Sequence, residues 1–402
     1  MQKQILIAGG GIGGLAGALA AERAGWEVRL FERAVEFSEV GAGVQLGPNV
    51  VRRLQAWGLH RELQEVAAFP GMLQVRSALS GEELARLSLG ASAIARYGAA
   101  YVTIHRADLH ALLLNAARDL PLVHLNLNAP VEHHQESEGV VTIRLKGGAL
   151  VEGDALLGAD GLRSGTRARL LGDAATRTSG HLAYRAVLTQ KDLPEKLRTQ
   201  HVTAWLGPKL HVVQYPLRRG ELMNVVAIRH GEPPADLESW DHRANAADLE
   251  AALAHTCSAL QDLVRSVAQR DGGWRLWPLS DRPPVSGPGE MARGLVALLG
   301  DAAHPMRPYL AQGAGMAIED AAELQRALSM HDLDVDLRLR RYALNRWQRN
   351  ARVQERSRRN GSIFHATGLV RWGRDLSLRL LGERLLDVPW LYRGDGSNAS
   401  QL

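Results

Sequence analysis

Two periods of apolar and polar residues run through this chain, and the switches between them predict its elements. A short apolar run, Ile5 to Ala8, leads to a helical stretch, Leu15 to Ala24, and a second strand, Glu27 to Phe31. Strand, helix, strand in this order is half of a βαβ unit. A helix follows at Asn49 to Trp57, and Leu73 to Leu89 predicts two strands around a Ser80-Gly81 turn, in a different layer. Tyr101 to Arg106 returns to the first layer and runs into a helix, Ala107 to Ala117. Strands are expected at Val123 to Leu127, Val131 to His134, Val140 to Leu145 and Ala155 to Leu157. From Thr178 to about Gly272 a period of two dominates, with strands at Ala183 to Thr189, Val202 to Leu206, Leu210 to Tyr215 and Leu222 to Ile228. They predict an antiparallel sheet, closed by one helix from Ala246 to Ala268. Leu295 to Leu299 re-enters the first layer, and Gly315 to Leu328 and Leu337 to Asn360 are helical.

The first turn carries the most specific chemistry. Gly9, Gly11 and Gly14 stand at GxGxxG spacing between a strand and a helix, and Glu32 ends the second strand. Gly9 permits the tight turn, Gly11 lets backbone approach a pyrophosphate, and Gly14 allows close helix–strand packing. The helix N-terminus offers unpaired N–H groups to phosphates, and an acid at Glu32 accepts the adenosine ribose hydroxyls. The ligand is an adenine dinucleotide, FAD or NAD(P). Ile5 to Ala21 is uncharged and could pass for a membrane span, but glycines at Gly9, Gly10, Gly11, Gly13 and Gly14 would be costly in a lone helix. Gly41 and Gly43 suit backbone lying against a flat ligand.

The length of 402 residues allows two or three domains. The only cysteine, Cys257, excludes an intrachain disulfide, a cysteine zinc site and an Fe–S cluster, and fits a cytoplasmic address. A net charge of +5 favours small anionic partners; no nucleic-acid motif accompanies it. The arginine run Arg338, Arg340, Arg341, Arg346, Arg349, Arg352, Arg356, Arg358 and Arg359 reads as a solvated helix face. Adjacent His133 and His134 have the wrong spacing for shared ligation on one strand face and are read as solvated. No His-Glu-x-x-His or comparable spacing occurs, so no metal is expected to take part.

Two further motifs complete the pattern: Gly158-Ala-Asp-Gly-Leu-Arg-Ser, and Gly300-Asp301-Ala-Ala-His-Pro followed by Ala311-Gln-Gly-Ala-Gly-Met-Ala-Ile-Glu-Asp. With GxGxxG and Glu32, in this order, they make the chain resemble the class A FAD-dependent aromatic hydroxylases. The resemblance implies an α/β fold: a discontinuous Rossmann-like FAD-binding domain over residues 1–70, 101–177 and 273–330, and an inserted antiparallel β-sheet substrate domain over 71–100 and 178–272. Residues 331–402 then form a C-terminal helical segment. It places Gly9, Gly11, Gly14, Glu32, Arg33, Gly43, Val44, Arg106, Val131, Asp160, Asp301, Gly313, Ala314 and Gly315 at the cofactor. Arg106 is expected at the pyrophosphate, Asp301 at the ribitol, Asp160 in the motif linked to FAD and the nicotinamide donor, and Gly313 to Gly315 at the flavin. Met316 departs from the asparagine of many relatives.

Gly180 to Val187 and Trp205 to Arg218 resemble 3-hydroxybenzoate 6-hydroxylases, with salicylate hydroxylases close behind, whereas His304-Pro-Met-Arg-Pro-Tyr is nearer to 6-hydroxynicotinate 3-monooxygenases. His211, Tyr215 and Pro308 are the catalytic candidates, His211 serving as a base with an ordinary, near-neutral pKa. The implied reaction hydroxylates a small anionic phenolic acid with NAD(P)H and O2 through a flavin C4a-hydroperoxide. No integral membrane segment is expected, and a homodimer fits. The alternatives are a heteroaromatic acid hydroxylase, a flavin-free NAD(P)-dependent dehydrogenase and a non-catalytic nucleotide-binding protein.

Overall fold

The computed structural model describes residues 2–37, 42–172, 176–233, 246–268 and 273–394. Its contacts divide into two compact units, Met1–Val40 with Ala107–Arg177 and Ser280–Arg358, and Gly41–Arg106 with Thr178–Leu279 and Arg359–Leu402. Compactness and cofactor contact are separate criteria, so the cofactor-based domain limits stand as a proposal beside these units. Gly41 lies outside the described residues.

In the first unit a six-stranded sheet has the order Ala292–Arg293, Val296–Leu298, Ala155–Gly158, Gln4–Ala8, Glu27–Phe31, Val123–Asn126. All neighbours are parallel except the first pair. Ile5, Leu6 and Ile7 are all fully buried, so both faces of the central strand are covered. That is why it reads as a continuous apolar run instead of an alternation. The helix Ile12–Arg23 packs against the helix Gly313–Leu328. Val131–Ser137, Val140–Leu145 and Leu150–Gly153 form a separate antiparallel sheet. His133 and His134 are half-buried there instead of solvated; burial first, then Arg169, lowers the His134 pKa.

The arginine run also differs from expectation. Arg340, Arg341, Arg352, Arg358 and Arg359 are exposed, but Arg338 and Arg346 are 4% and 0% exposed on the helix Val335–Phe364. A helix packed along one side must bury whatever its 3.6-residue period turns inward, and these arginines meet partners there.

The second unit is built on a seven-stranded sheet, ordered Arg275–Asp281, Arg177–Thr189, Leu222–His230, Leu210–Leu217, Val202–Gly207, Met72–Ser77, Glu83–Ser88. Alternation divides its faces. Leu182, Tyr184, Ala186 and Leu188 join Val212, Met223, Val225 and Ala227 in a core with Leu249, Leu253, Leu260, Leu263 and Val267. The register pairs His181 with His230, Tyr215 with Asn224 and His211 with Ile228, which puts His181, Arg185, His211, Tyr215, Asn224 and His230 together on the opposite face.

The single helix expected from Ala246 to Ala268 is two, Ala246–Leu253 and Ser258–Ala268. Thr256 causes the interruption. Its hydroxyl donates to the Leu253 carbonyl at 2.7 Å, and the Cys257 N–H donates to the Ala78 carbonyl at 2.8 Å instead of continuing the helical ladder.

Candidate functional site

The glycine turn is shaped as a phosphate cradle. Gly9 has φ +105°, and a Cβ there would lie 2.5 Å from the Ala159 carbonyl oxygen. A Cβ on Gly14 would lie 1.9 Å from the Gly9 oxygen, so only glycine fits either position. Gly11 caps the helix Ile12–Arg23 without a side-chain hydrogen bond, and its first turn holds no acid. The first-turn N–H groups are thus left to an anion. Glu32 Oε2 accepts from the Gly10 N–H at 2.6 Å and Oε1 from the Ala34 N–H at 2.9 Å. An ionised carboxylate has about four acceptor sites, so ribose hydroxyls can still bind there. Arg33 is exposed beside it. His110, which sequence reasoning missed, braces the turn, its Nε2 lying 2.8 Å from the Gly10 carbonyl.

A second cradle comes from the late motifs of the same unit. The helix Gly313–Leu328 also starts without a side-chain cap or an early acid, so Gly313, Ala314 and Gly315 present open backbone N–H groups. Asp301 is exposed on the turn that follows the strand Val296–Leu298. These features fit a flavin dinucleotide: two uncapped helix N-termini, close-approach glycines, and acids for the sugar hydroxyls. Val131 opens its strand opposite Leu145. Asp160 caps the helix Gly165–Leu171, accepting from the Ser164 hydroxyl at 2.5 Å and from the Thr166 N–H at 3.0 Å.

Two buried groups missed in the sequence hold these motifs. Arg167 donates to the carbonyls of Ala302 and Leu162, both at 2.8 Å, and so ties Asp301's turn to the Asp160 segment. Asp320 accepts from Arg346 Nε at 2.8 Å and from Asn350 Nδ2 at 3.0 Å, and lies 2.5 Å from His304 Nε2. Burial pushes its pKa up, but His304 and Arg346 pull it further down, well below the ordinary carboxylate range. Pro308 starts a short turn whose preceding Arg307 donates to Asp281 at 2.7 Å.

The polar sheet face is the other candidate, within the second unit. Tyr215 packs so closely on Gly43 that a Cβ there would sit 2.5 Å from the phenol ring. Asn224 Oδ1 accepts the Gly43 N–H at 2.8 Å and orients that edge. Tyr101 donates to Gln45 at 2.6 Å. Val44 lies in the same short strand, Gly43–Leu46. Burial raises the Tyr215 pKa far above its ordinary value, so the phenol stays protonated. Half-buried Arg185 stacks over Trp277 at 5.3 Å; burial lowers its pKa, Tyr215 raises it and Arg106 lowers it. Its signal was an arginine in an alternating apolar strand. Arg106 opens the helix Arg106–Arg118, its N–H donating to the Ala42 carbonyl at 2.8 Å.

His211 departs from expectation. Burial first, then His181, drops its pKa to about 3, so it is neutral at pH 7 and far from the near-neutral base foreseen. Its Nδ1 lies 2.7 Å from His365 Nε2. Four residues along a strand span about 13 Å, too far for His211 and Tyr215 to exchange a proton directly. His365 also approaches His181 and His230, and one nitrogen from each of these three lies within 4.8 Å of the others. The expectation of no metal rests on local spacing, which does not register side chains so remote in sequence.

Known proteins match this chain over nearly its whole length. The model of the FAD binding domain family matches residues 2–357. A 3-hydroxybenzoate 6-hydroxylase of Polaromonas naphthalenivorans (strain CJ2) is 38% identical, covering 96% of this chain and 95% of its own. A 6-hydroxynicotinate 3-monooxygenase of Bordetella bronchiseptica is 37% identical over 89% of this chain and 91% of its own. The crystal structure of Klebsiella pneumoniae HpxO complexed with FAD and uric acid superposes with a TM-score of 0.84 at 25% identity, covering 96% of this chain and 94% of that one.

Proposed function

As this chain belongs to the FAD binding domain family, we propose that its polar sheet face holds a small hydroxylated aromatic acid for ring hydroxylation. It is an FAD-dependent aromatic monooxygenase with NAD(P)H as co-substrate. The substrate supported best is 3-hydroxybenzoate, converted to gentisate, with salicylate next. The observation that carries this reading is one sheet face that sets a phenol, an imidazole and a guanidinium among apolar strands.

Bound FAD, reduced by NAD(P)H, supplies the activation of O2. The chain's own residues bind, orient and polarise the ring. Arg185 takes the carboxylate and favours the anionic substrate; protonated Tyr215 donates to a ring oxygen. His211, neutral and with Nδ1 facing His365 Nε2, donates its Nε2–H to a ring oxygen. Full proton transfer from a phenol of pKa near 10 to an imidazole near 3 is uphill by roughly 10 kcal/mol. In the other unit, Gly9, Gly11, Gly14, Glu32, Asp301 and Gly313 to Gly315 would hold the cofactor. A 6-hydroxynicotinate-type substrate is the second reading, favoured by the His304 to Tyr309 loop.

The test is a screen of NADH oxidation and product formation over hydroxybenzoates and hydroxynicotinates. Arg185→Gln should raise KM for the acids about 10- to 100-fold, the worth of a charge-assisted hydrogen bond, and spare neutral phenols. An equal loss for acids and neutral phenols would remove Arg185 from the carboxylate.

A further inference from the structure

Three histidines from distant segments meet on the polar sheet face. His181 and His230 are direct cross-strand partners, with rings stacked at 4.3 Å and planes 18° apart. His365 follows the helix Val335–Phe364 and brings its ring centroid to 5.1 Å from His181 and 4.9 Å from His230. One turn residue fixes two of them. The Lys209 N–H donates to the His365 carbonyl at 3.0 Å, and the Lys209 carbonyl accepts from the His230 N–H at 3.1 Å.

From this geometry we propose that His181, His230 and His365 form a site for one borderline divalent transition-metal ion such as Zn2+, with a fourth position open to water. Their nitrogens lie within 4.8 Å of one another. An ion at the centre of such a triangle is at most about 2.8 Å from each, against about 2.0–2.1 Å for a Zn–N bond, so shifts of under about 1 Å close the site. Three imidazoles without a carboxylate select Zn2+, Co2+, Ni2+ or Cu2+ over Mg2+ and Ca2+. Exposure is graded: His230 is exposed, His181 half-buried and His365 buried. An ion can enter from solvent and still meet a fixed anchor.

His211 supplies the outer support. With His365 Nε2–H donating to His211 Nδ1 at 2.7 Å, the lone pair of His365 lies on Nδ1 for the metal. Ligating histidines commonly use their second nitrogen in this way. Ligation would in turn fix the His365 tautomer, and through it that of His211.

The test uses the full-length holoprotein, stripped with EDTA and dialysed, with no substrate present. Calorimetric titration with ZnCl2 should show one equivalent bound per chain, and Co2+ should develop tetrahedral ligand-field absorption. His230→Ala, at an exposed position, should weaken Zn2+ binding by more than the roughly 10- to 100-fold that an outer-shell partner carries, and should abolish the Co2+ bands. His181→Gln should do the same, whereas His331→Ala, an exposed histidine elsewhere, should bind as the parent does. Absence of a stoichiometric equivalent, or Zn2+ affinity and Co2+ bands that survive His230→Ala, would overturn the site. Because binding is read without turnover, its failure is distinct from failure of the hydroxylase reading.

Discussion

Both oxygens of Glu32 accept backbone N–H groups, so this side chain serves the glycine turn as well as a ribose. Glu32→Ala should therefore weaken FAD binding on the order of 1.5–3 kcal/mol, about 10- to 150-fold in Kd, measured by ultrafiltration of the released flavin. A variant that holds FAD as firmly as the parent would refute the ribose assignment. At His211 the readout is coupling. His211→Ala should leave flavin reduction by NADH largely intact, since hydride transfer does not involve the ring proton, while product formed per NADH falls and hydrogen peroxide rises. Fully coupled turnover in this variant would reduce His211 to a packing residue. With its pKa near 3, coupling in the parent should also show no imidazole titration between about pH 6 and 8.

Elements are pinned by buried charge. Arg346 meets Asp320 at 2.8 Å and Glu319 at 3.1 Å, joining the helix Val335–Phe364 to the helix that begins at Gly313. Arg346→Ala leaves Asp320 to His304 and Asn350 and Glu319 to Arg349, and the buried guanidinium lost from both should cost about 3 kcal/mol of stability in urea unfolding. A loss under about 1 kcal/mol would mean that the remaining partners suffice for both carboxylates. The histidine cluster gives the sheet unit a pH dependence of definite sign. Above pH 6.5 folded and unfolded chains both keep His211 and His365 neutral. As pH falls from 6.5 toward 3, the unfolded chain takes up protons that the folded sites refuse, so stability declines, at up to about 1.4 kcal/mol per pH unit for each histidine. Asp320, depressed by His304 and Arg346, adds to the loss below about pH 4. Thermal melts from pH 7.5 to 5.0 should thus fall more steeply for the parent than for His365→Asn, and equal slopes would exclude the cluster as the cause.

At the scale of the whole molecule, the family relationship covers both compact units and the matched relatives are of similar length, so one chain carries cofactor and substrate functions together. Purified protein should show an oxidised-flavin absorption spectrum and substrate-stimulated NADH oxidation; a colourless protein would favour the dehydrogenase alternative. Hydroxylation should survive EDTA, because flavin chemistry needs no ion. Activity lost with EDTA and restored by a divalent ion would bring the metal into the reaction.

Local sequence determined whatever local sterics dictate. The turn at Gly9 admits no Cβ, the continuous apolar strand Gln4–Ala8 has both faces covered, and the alternation from Arg177 to His230 separates a core face from a polar one. Each follows from backbone geometry over fewer than about ten residues, and the order of the glycine and acid motifs then fitted one family. Only the tertiary structure decided which charges would be buried. Arg167, Arg346 and Asp320 look like surface residues until a partner distant in the chain removes them from water. Likewise the near-neutral pKa expected of His211 gave way to burial, and three histidines separated by as many as 184 residues became neighbours through strand pairing and one turn at Lys209. Burial and proximity are properties of the packed chain, and no local spacing encodes them.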